Sequence, residues 1–341
     1  MKFGELVQPI IDGREMETAH AAELMAYLIS GEATDAQIGA VIVGLRVKGC
    51  TPSELAEFAR VMRATGATVE HAFDDLVDTC GTGGGLPTFN ISTAAAIVAA
   101  AAGVRIAKHG NRSMTGLGSA DVLEALGVPV LDPNPEAGMK RILRQLGDIG
   151  IAFMFAPAHH PAMRHVAKAR KELGVRTVFN QLGPLANPAG AKKQLIGVYD
   201  ATLLNGMATA LQILGSERAM LVHGLEGLDE ISPCGPTEVV ELQDGVVNKY
   251  TLEPCDFGLD PLPPSALEAG ADIAGNAKIL EEAISDRDSL RCRAILPSAA
   301  AAIYVSGLAG DLKAGVAAAE EAIVSGSAVR KLEQMRQGGS A

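Results

Sequence analysis

Asp78-Thr-Cys-Gly-Thr-Gly-Gly-Gly-Leu-Pro-Thr-Phe-Asn-Ile-Ser-Thr93 runs directly into the alanine-rich stretch Ala94–Ala102. An apolar run, Leu76–Asp78, ends in a loop containing Gly81, Gly83, Gly84 and Gly85, and a helix opens after it. Glycines let main-chain N–H groups turn toward a ligand. Asn90, Ser92 and Thr93, with Thr88 just ahead of them, place small polar groups at a helix N-terminus, where the dipole favours anions. The stretch reads as strand, phosphate cradle and helix, the building unit of an α/β sheet.

Working outward, the same alternation continues. Short β-like runs at Val104–Ala107, Val128–Val130, Gly150–Phe155, Gln194–Val198, Arg218–His223 and Glu238–Leu242 alternate with alanine-rich helical stretches, which predicts a largely parallel sheet with helices on both faces. Upstream, from Phe3 to Thr65, apolar residues recur every three or four positions. Thr34-Asp35 and Thr51-Pro-Ser-Glu54 are start signals and Gly31, Gly49 and Gly66 are stops, giving three or four short helices. The expected fold is therefore α/β: a small N-terminal helical domain plus a larger α/β domain with a mostly parallel central sheet. Hinges are expected near residue 70 and at 160–190. The helical domain would be 1–70, joined by roughly 160–190 through the helix-like Pro161–Leu173 and the turn-rich Asn180–Gly190. The α/β domain would be 71–159 and 191–341. A short Gly-Gly-Ser-Ala tail reads as frayed.

Composition fits this plan. The chain has 341 residues, enough for two domains; 48% are apolar but only 4% aromatic, so the core is built from Ala, Val, Leu and Ile, as in helix-covered parallel sheets. The formal charge of −11 repels nucleic acid and anionic lipid, although a few fixed donors at close range still hold a small anion. Five scattered cysteines without CxxC spacing argue against a disulfide framework or a zinc site and for a reducing cytoplasm. Neither a leader-like opening nor a run of about 20 apolar residues is seen, so export and membrane spanning are not expected.

Four further segments carry chemistry. The strand after the glycine loop ends in Lys108-His-Gly-Asn-Arg112, where a dinucleotide fold would want an acidic residue, and the Walker spacing is missing. A cationic strand end facing a glycine loop speaks for a second anionic group or an anionic intermediate. Ser119, in Gly118-Ser-Ala-Asp121, reads as the N-cap of a helix over Val122–Leu126. Asp229 and Glu230 follow the apolar strand Ala219–Val222 on a loop at the ligand edge of the sheet, and adjacent carboxylates there suit Mg²⁺. Arg176, alone among apolar residues, either pairs structurally or waits for a carboxylate substrate. His159 and His160 are adjacent, point different ways, and do not suggest a shared metal.

Taken together, GTGG, TFNIST, KHGNR, GSADVLEALGV, the block from His159 to Ala189 and GLDEIS resemble the anthranilate phosphoribosyltransferase family of the nucleoside-phosphorylase-like phosphoribosyltransferases. The resemblance spans nearly the whole chain. It implies a homodimer formed through the helical domain and Mg²⁺-dependent transfer of phosphoribose from phosphoribosyl diphosphate to the amine of anthranilate, a step of tryptophan biosynthesis. By that resemblance Gly81, Gly84, Asn90, Ser92, Thr93, Lys108 and Ser119 bind the donor, with Gly85 and Thr88 in the same loop. Asn111 and Arg176 hold anthranilate, and Ser92, Asp229 and Glu230 hold the metal. Lys108, His109 and Asn111 are the catalytic candidates, His109 either taking up the released proton or hydrogen-bonding within its loop. Two departures stand out. The family's GTGGDG is one residue shorter here and lacks the Asp, as Gly84-Gly85-Leu86; the stretch between Arg112 and Gly118, which includes Thr115, is also one residue short and lacks the family's Lys. Three rivals are a nucleoside phosphorylase of the same fold, which needs no carboxylate pair, a nucleic-acid-binding relative, which should be basic, and a transferase acting on another aromatic amine.

Overall fold

Four helices open the chain: α1 (Phe3–Ile11), α2 (Thr18–Ser30), α3 (Asp35–Lys48) and α4 (Pro52–Thr65). The computed structural model describes residues 1–113 and 116–338, so Thr115 and the last three residues of the tail lie outside the described residues. Two of the helix starts are capping boxes. Gln37 N–H donates to Thr34 Oγ1 at 3.3 Å and Glu54 N–H to Thr51 Oγ1 at 3.2 Å, while each N3 side chain accepts from the cap amide. Gly31 at φ 91° ends α2 in the left-handed conformation that a side chain would strain.

The sheet unit follows: β1 (Val77–Gly81), α5 (Ile91–Ala101), β2 (Ile106–Gly110), α6 (Ser119–Ala125), α7 (Pro135–Arg144) and β3 (Ile151–Phe155). Then come α8 (Ala156–His159), α9 (Arg164–Leu173), α10 (Val178–Leu185), β4 (Lys193–Gly197), α11 (Leu204–Ile213), β5 (Arg218–Gly224), β6 (Thr237–Gln243) and β7 (Val246–Leu252). Four helices close the chain: α12 (Ile273–Ser285), α13 (Leu290–Ser306), α14 (Leu312–Val324) and α15 (Ser327–Arg336). The seven strands lie in the order β3-β2-β1-β4-β5-β6-β7, parallel from β3 to β5 and antiparallel from β5 to β7. The chain is thus a helical bundle followed by an α/β region with a mostly parallel sheet.

Side-chain alternation sorts the core onto two faces. On β5, Met220 and Val222 join α5 and α12–α15 in one apolar cluster. Ala219 and Leu221 face the other way and pack with α11, α9, α10 and the N-terminal helices. No helix among the described residues is long and apolar enough to cross a membrane.

Three expectations need correction. Val128–Val130 is not a strand: Pro129 has no amide to give a ladder, and the segment is a buried extended connection from α6, closed by Val128 N–H to the Leu123 carbonyl at 2.9 Å. Asn180–Gly190 is not all turn, because Thr177 N–H donates to Asn180 Oδ1 at 3.0 Å and starts α10, which runs through Pro184 to Leu185. Ser119 is the first residue of α6 and not its cap. Gly118 occupies the cap position, and the Asp121 carboxylate accepts its N–H at 2.9 Å.

Candidate active site

Three parallel strands end at one edge of the sheet, and each is followed by a loop that carries chemistry. β1 leads into the glycine loop and α5, β2 into Asn111 and Arg112, and β5 into the loop with Asp229 and Glu230. Parallel β1 and β4 set the spacing: Gly81 pairs with Gly197, and Thr82 N–H donates to the Gly197 carbonyl at 2.9 Å. A Cβ on Gly197 would stand 1.8 Å from the Asp229 carbonyl, so only glycine lets the carboxylate loop lie across the strand end.

The glycine loop sits directly on that carboxylate. A Cβ at Gly85 would meet Asp229 Oδ1 at 2.2 Å, and Leu86 N–H donates to the Gly227 carbonyl at 3.1 Å. Gly85 therefore has no room for any side chain. Gly84, at φ 93°, lies under Arg176, whose Nε would be 2.6 Å from a Cβ there; the same guanidinium stands 4.5 Å from the Tyr199 ring centre. Arg176 is exposed at its surface. The shortened loop after Arg112 also reaches the site, since Asn90 Nδ2 donates to the Leu117 carbonyl at 2.9 Å. Asn90 Oδ1 and Thr93 Oγ1 are buried at the head of α5 without a partner among the described residues. Thr88 Oγ1 is turned back to the Phe89 carbonyl at 2.9 Å.

Glu230 is held from two sides. Ser92 N–H donates to its Oε1 at 3.0 Å and the Ser298 hydroxyl to its Oε2 at 3.3 Å. Burial, reinforced by the like charge of Asp229, pushes the Glu230 carboxyl up to about 7. Burial raises Asp229 as well. Two adjacent half-buried carboxylates, with Asp229 disfavouring the charge on Glu230, form an all-oxygen donor pair that a hard divalent cation relieves, so these residues fit Mg²⁺. No group of three or more His, Cys, Asp or Glu side chains stands ready for a metal among the described residues, so further ligands would come from Ser92, water or substrate.

Lys108 is buried, and its Nζ donates to the Thr79 carbonyl. Burial lowers its ammonium, opposed by the nearby negative charge of Asp78. Asp78 is fully buried and accepts the His109 amide at 3.0 Å, which fixes the end of β2. The His109 ring meets His160 edge-on, 5.3 Å between centres. Burial, then the neighbouring histidines, pushes it down to about 3, so the imidazole stays neutral at ordinary pH and offers hydrogen bonding in place of proton uptake. Asn111 is exposed, and its carbonyl accepts from Ser119 Oγ at 3.4 Å and Ala120 N–H at 3.3 Å. Arg112 pairs with Asp121 and Glu124 on α6.

Two residues escape sequence reading, Ser298, which touches Glu230, and Arg170, a half-buried cation. Ser298 lies in the alanine-rich middle of α13, far along the chain, with no local signal. Arg170 sits in the basic run of α9, which reads as a solvated face; its guanidinium lies half-buried 5.2 Å from the Phe179 ring centre, with no carboxylate partner among the described residues. Burial lowers it.

Comparison with known proteins joins these features to a family. The model described as "Glycosyl transferase family, a/b domain" matches residues 73–329 and the one described as "Glycosyl transferase family, helical bundle domain" matches 4–66. The anthranilate phosphoribosyltransferase of Myxococcus xanthus is 47% identical over 99% of both chains. Among solved structures, that of the Thermus thermophilus anthranilate phosphoribosyltransferase superposes with a TM-score of 0.90 at 40% identity, covering 98% of this chain and 99% of that one. The Saccharomyces cerevisiae enzyme in complex with PRPP and Mg does so at 0.87 and 29% identity, covering 99% and 97%.

Proposed function

The chain belongs to the glycosyl transferase family, in its anthranilate phosphoribosyltransferase branch, and from that membership we propose that it moves the phosphoribosyl group of phosphoribosyl diphosphate onto the amine of anthranilate and releases diphosphate, a step of tryptophan biosynthesis. The observation that carries the reading is the meeting, at one sheet edge, of the glycine loop, the N-terminus of α5 and the Asp229–Glu230 pair. Breaking the bond from ribose C1 to diphosphate leaves positive charge on the sugar and negative charge on the leaving group. Catalysis is then mainly electrostatic. Main-chain amides of Gly81–Gly85, the head of α5 with Asn90, Ser92 and Thr93, and the Lys108 ammonium accept the growing negative charge. Gly81, Gly84, Gly85, Thr88 and Ser119 line the donor's path. Asp229, Glu230 and Ser92 hold Mg²⁺, which when bound neutralises the diphosphate.

An arylamine is neutral and attacks without prior deprotonation, so the acceptor must be held in line more than activated. Asn111 stands at the β2 end to take its amine, and neutral His109 accepts a hydrogen bond nearby. For the acceptor's carboxylate Arg176 rests on the glycine loop, while Arg170, half-buried and without a carboxylate partner among the described residues, is the second reading. The exposed pair Val43 and Val47, one turn apart on α3, supports a homodimer through the helical region. The acidic body and five free thiols support a cytoplasmic protein that does not bind nucleic acid.

Mixing the protein with phosphoribosyl diphosphate, Mg²⁺ and anthranilate is expected to quench anthranilate fluorescence. Removing the arginine that grips the carboxylate is expected to raise the anthranilate KM roughly 10- to 100-fold, the worth of a charge-assisted bond, and to leave the donor KM nearly unchanged. Arg176→Ala tests the first reading and Arg170→Ala the second. If neither variant separates the two KM values, the acceptor assignment fails.

A further inference from the structure

Behind the candidate site, where the chain crosses between the helical bundle and the sheet, lies a cavity of about 200 Å³. Its walls include Arg63, Gly66, Val69, His160, Asn187 and Ala189. None of the residues assigned above to donor, acceptor or metal lines it. Two chain crossings form it and are stitched together: Val69 N–H donates to the Pro188 carbonyl at 2.9 Å, Ala67 N–H to the His159 carbonyl at 2.7 Å, and the His71 ring bonds the Ala189 carbonyl at 2.7 Å.

Most of the wall is apolar, and Arg63 is the one lysine or arginine among the described residues that line it. The guanidinium is half-buried, and its Nε donates to the Leu185 carbonyl at 2.8 Å. Its terminal nitrogens have no carboxylate or carbonyl partner among the described residues. Burial lowers it, and Arg60 adds like charge. A half-buried guanidinium whose terminal nitrogens are left over beside a mostly apolar hollow gains a charge-assisted bond from an anion that enters it. One guanidinium and no second cation suit a single carboxylate rather than a phosphate. A cavity near 150 Å³ lined by aliphatic groups takes a benzene ring, so 200 Å³ leaves space for a ring and its carboxylate.

We propose that this hinge cavity is a binding site for a small apolar monocarboxylate, gripped by Arg63 and packed against Val69 and Ala189. Its occupant bridges both crossings. It also sits one layer behind the reacting edge, because Asn187 Nδ2 donates to the Ala107 carbonyl at 2.8 Å, one residue before Lys108, and His160 touches His109.

The test uses 4-fluorobenzoate and ¹⁹F NMR on the full chain. The wild type is expected to give a saturable bound resonance at millimolar ligand. Arg63→Met, which keeps length and removes charge, is expected to abolish it, whereas Arg170→Met and Arg176→Met retain it. Ala189→Leu keeps the charge and fills the space, and is also expected to lose the resonance, so the test stands even if Arg63→Met fails to fold. A resonance that survives in both Arg63→Met and Ala189→Leu, one lost only with Arg170 or Arg176, or none in the wild type overturns the proposal.

Discussion

Glu230 concentrates the chemistry of the site in one side chain. Burial, and then the like charge of Asp229, pushes its carboxyl up to about 7, and a carboxylate must lose its proton before it ligates a cation. If Glu230 holds the metal as proposed, protons compete with Mg²⁺ there as pH falls through about 7, and the Mg²⁺ concentration giving half-maximal activity is expected to rise, approaching tenfold per pH unit below that value. Glu230→Gln is expected to need more Mg²⁺ at every pH and to lose the slope. Measuring activity against Mg²⁺ from mildly acid to mildly alkaline pH decides it: a half-saturation that does not move with pH in the wild type separates Glu230 from the metal. His109, by contrast, is held near 3 and contributes no slope in this range. The type and spacing of these residues were legible in the chain, since a glycine loop, a cationic strand end and adjacent carboxylates each imply oxygen and phosphate chemistry. Their energetics were not, because the Ser298 hydroxyl and the like charge of Asp229 reach Glu230 only through the fold.

At the scale of elements, α4 is tied to its neighbours by one carboxylate. Glu54 accepts from Lys48 Nζ at 2.8 Å, from the Met16 amide at 2.9 Å and from the Thr51 amide at 2.9 Å, with both charged side chains almost fully buried. Removing one partner of such a pair leaves the other charge in low dielectric, so Glu54→Ala is expected to cost about 3–5 kcal/mol, read as a drop in the urea midpoint with an unchanged slope. A loss below about 1 kcal/mol would mean that Lys48 escapes to water, as surface pairs do. The sequence announced this helix through its Thr51-Pro-Ser-Glu54 start, but gave only the local half of what Glu54 does; the bonds to Lys48 and Met16 are tertiary. Elsewhere the local signals and the fold diverge. Val128–Val130 looked like a strand by residue type, yet Pro129 cannot join a ladder. β7 is mostly exposed, and Asp244 at φ 53° and Gly245 at φ 75° form the Asp-Gly turn that pairs it with β6, a hairpin signal carried by the sequence itself.

For the whole molecule, the decisive fact is that the core of the helical bundle is continuous with the core on one side of the sheet. Leu24, Leu28, Ile42 and Phe58 belong to the same apolar cluster as Val178, Leu182, Leu204, Leu211, Leu221 and Val240, which come from α10, α11 and two strands of the sheet. On one face of the sheet α10 and α11 lie between the strands and the N-terminal helices, and on the other α5 and α13 cover the strands, backed by α12, α14 and α15. Short helices are marginal without packing, and α1–α4 are 9, 13, 14 and 14 residues long, so their stability is borrowed from the partners that follow. A fragment of residues 1–70 would expose Leu55, Phe58 and Met62, each 5% exposed or less in the whole chain, and would leave its most apolar face in water. It is expected to show weak helical circular dichroism, no cooperative thermal transition and strong binding of a hydrophobic dye, whereas the full chain melts cooperatively. A sharp transition and dispersed amide signals from the fragment would show that the bundle packs internally, and the hinge cavity between bundle and sheet would then lie between two independently folded bodies rather than within one shared core.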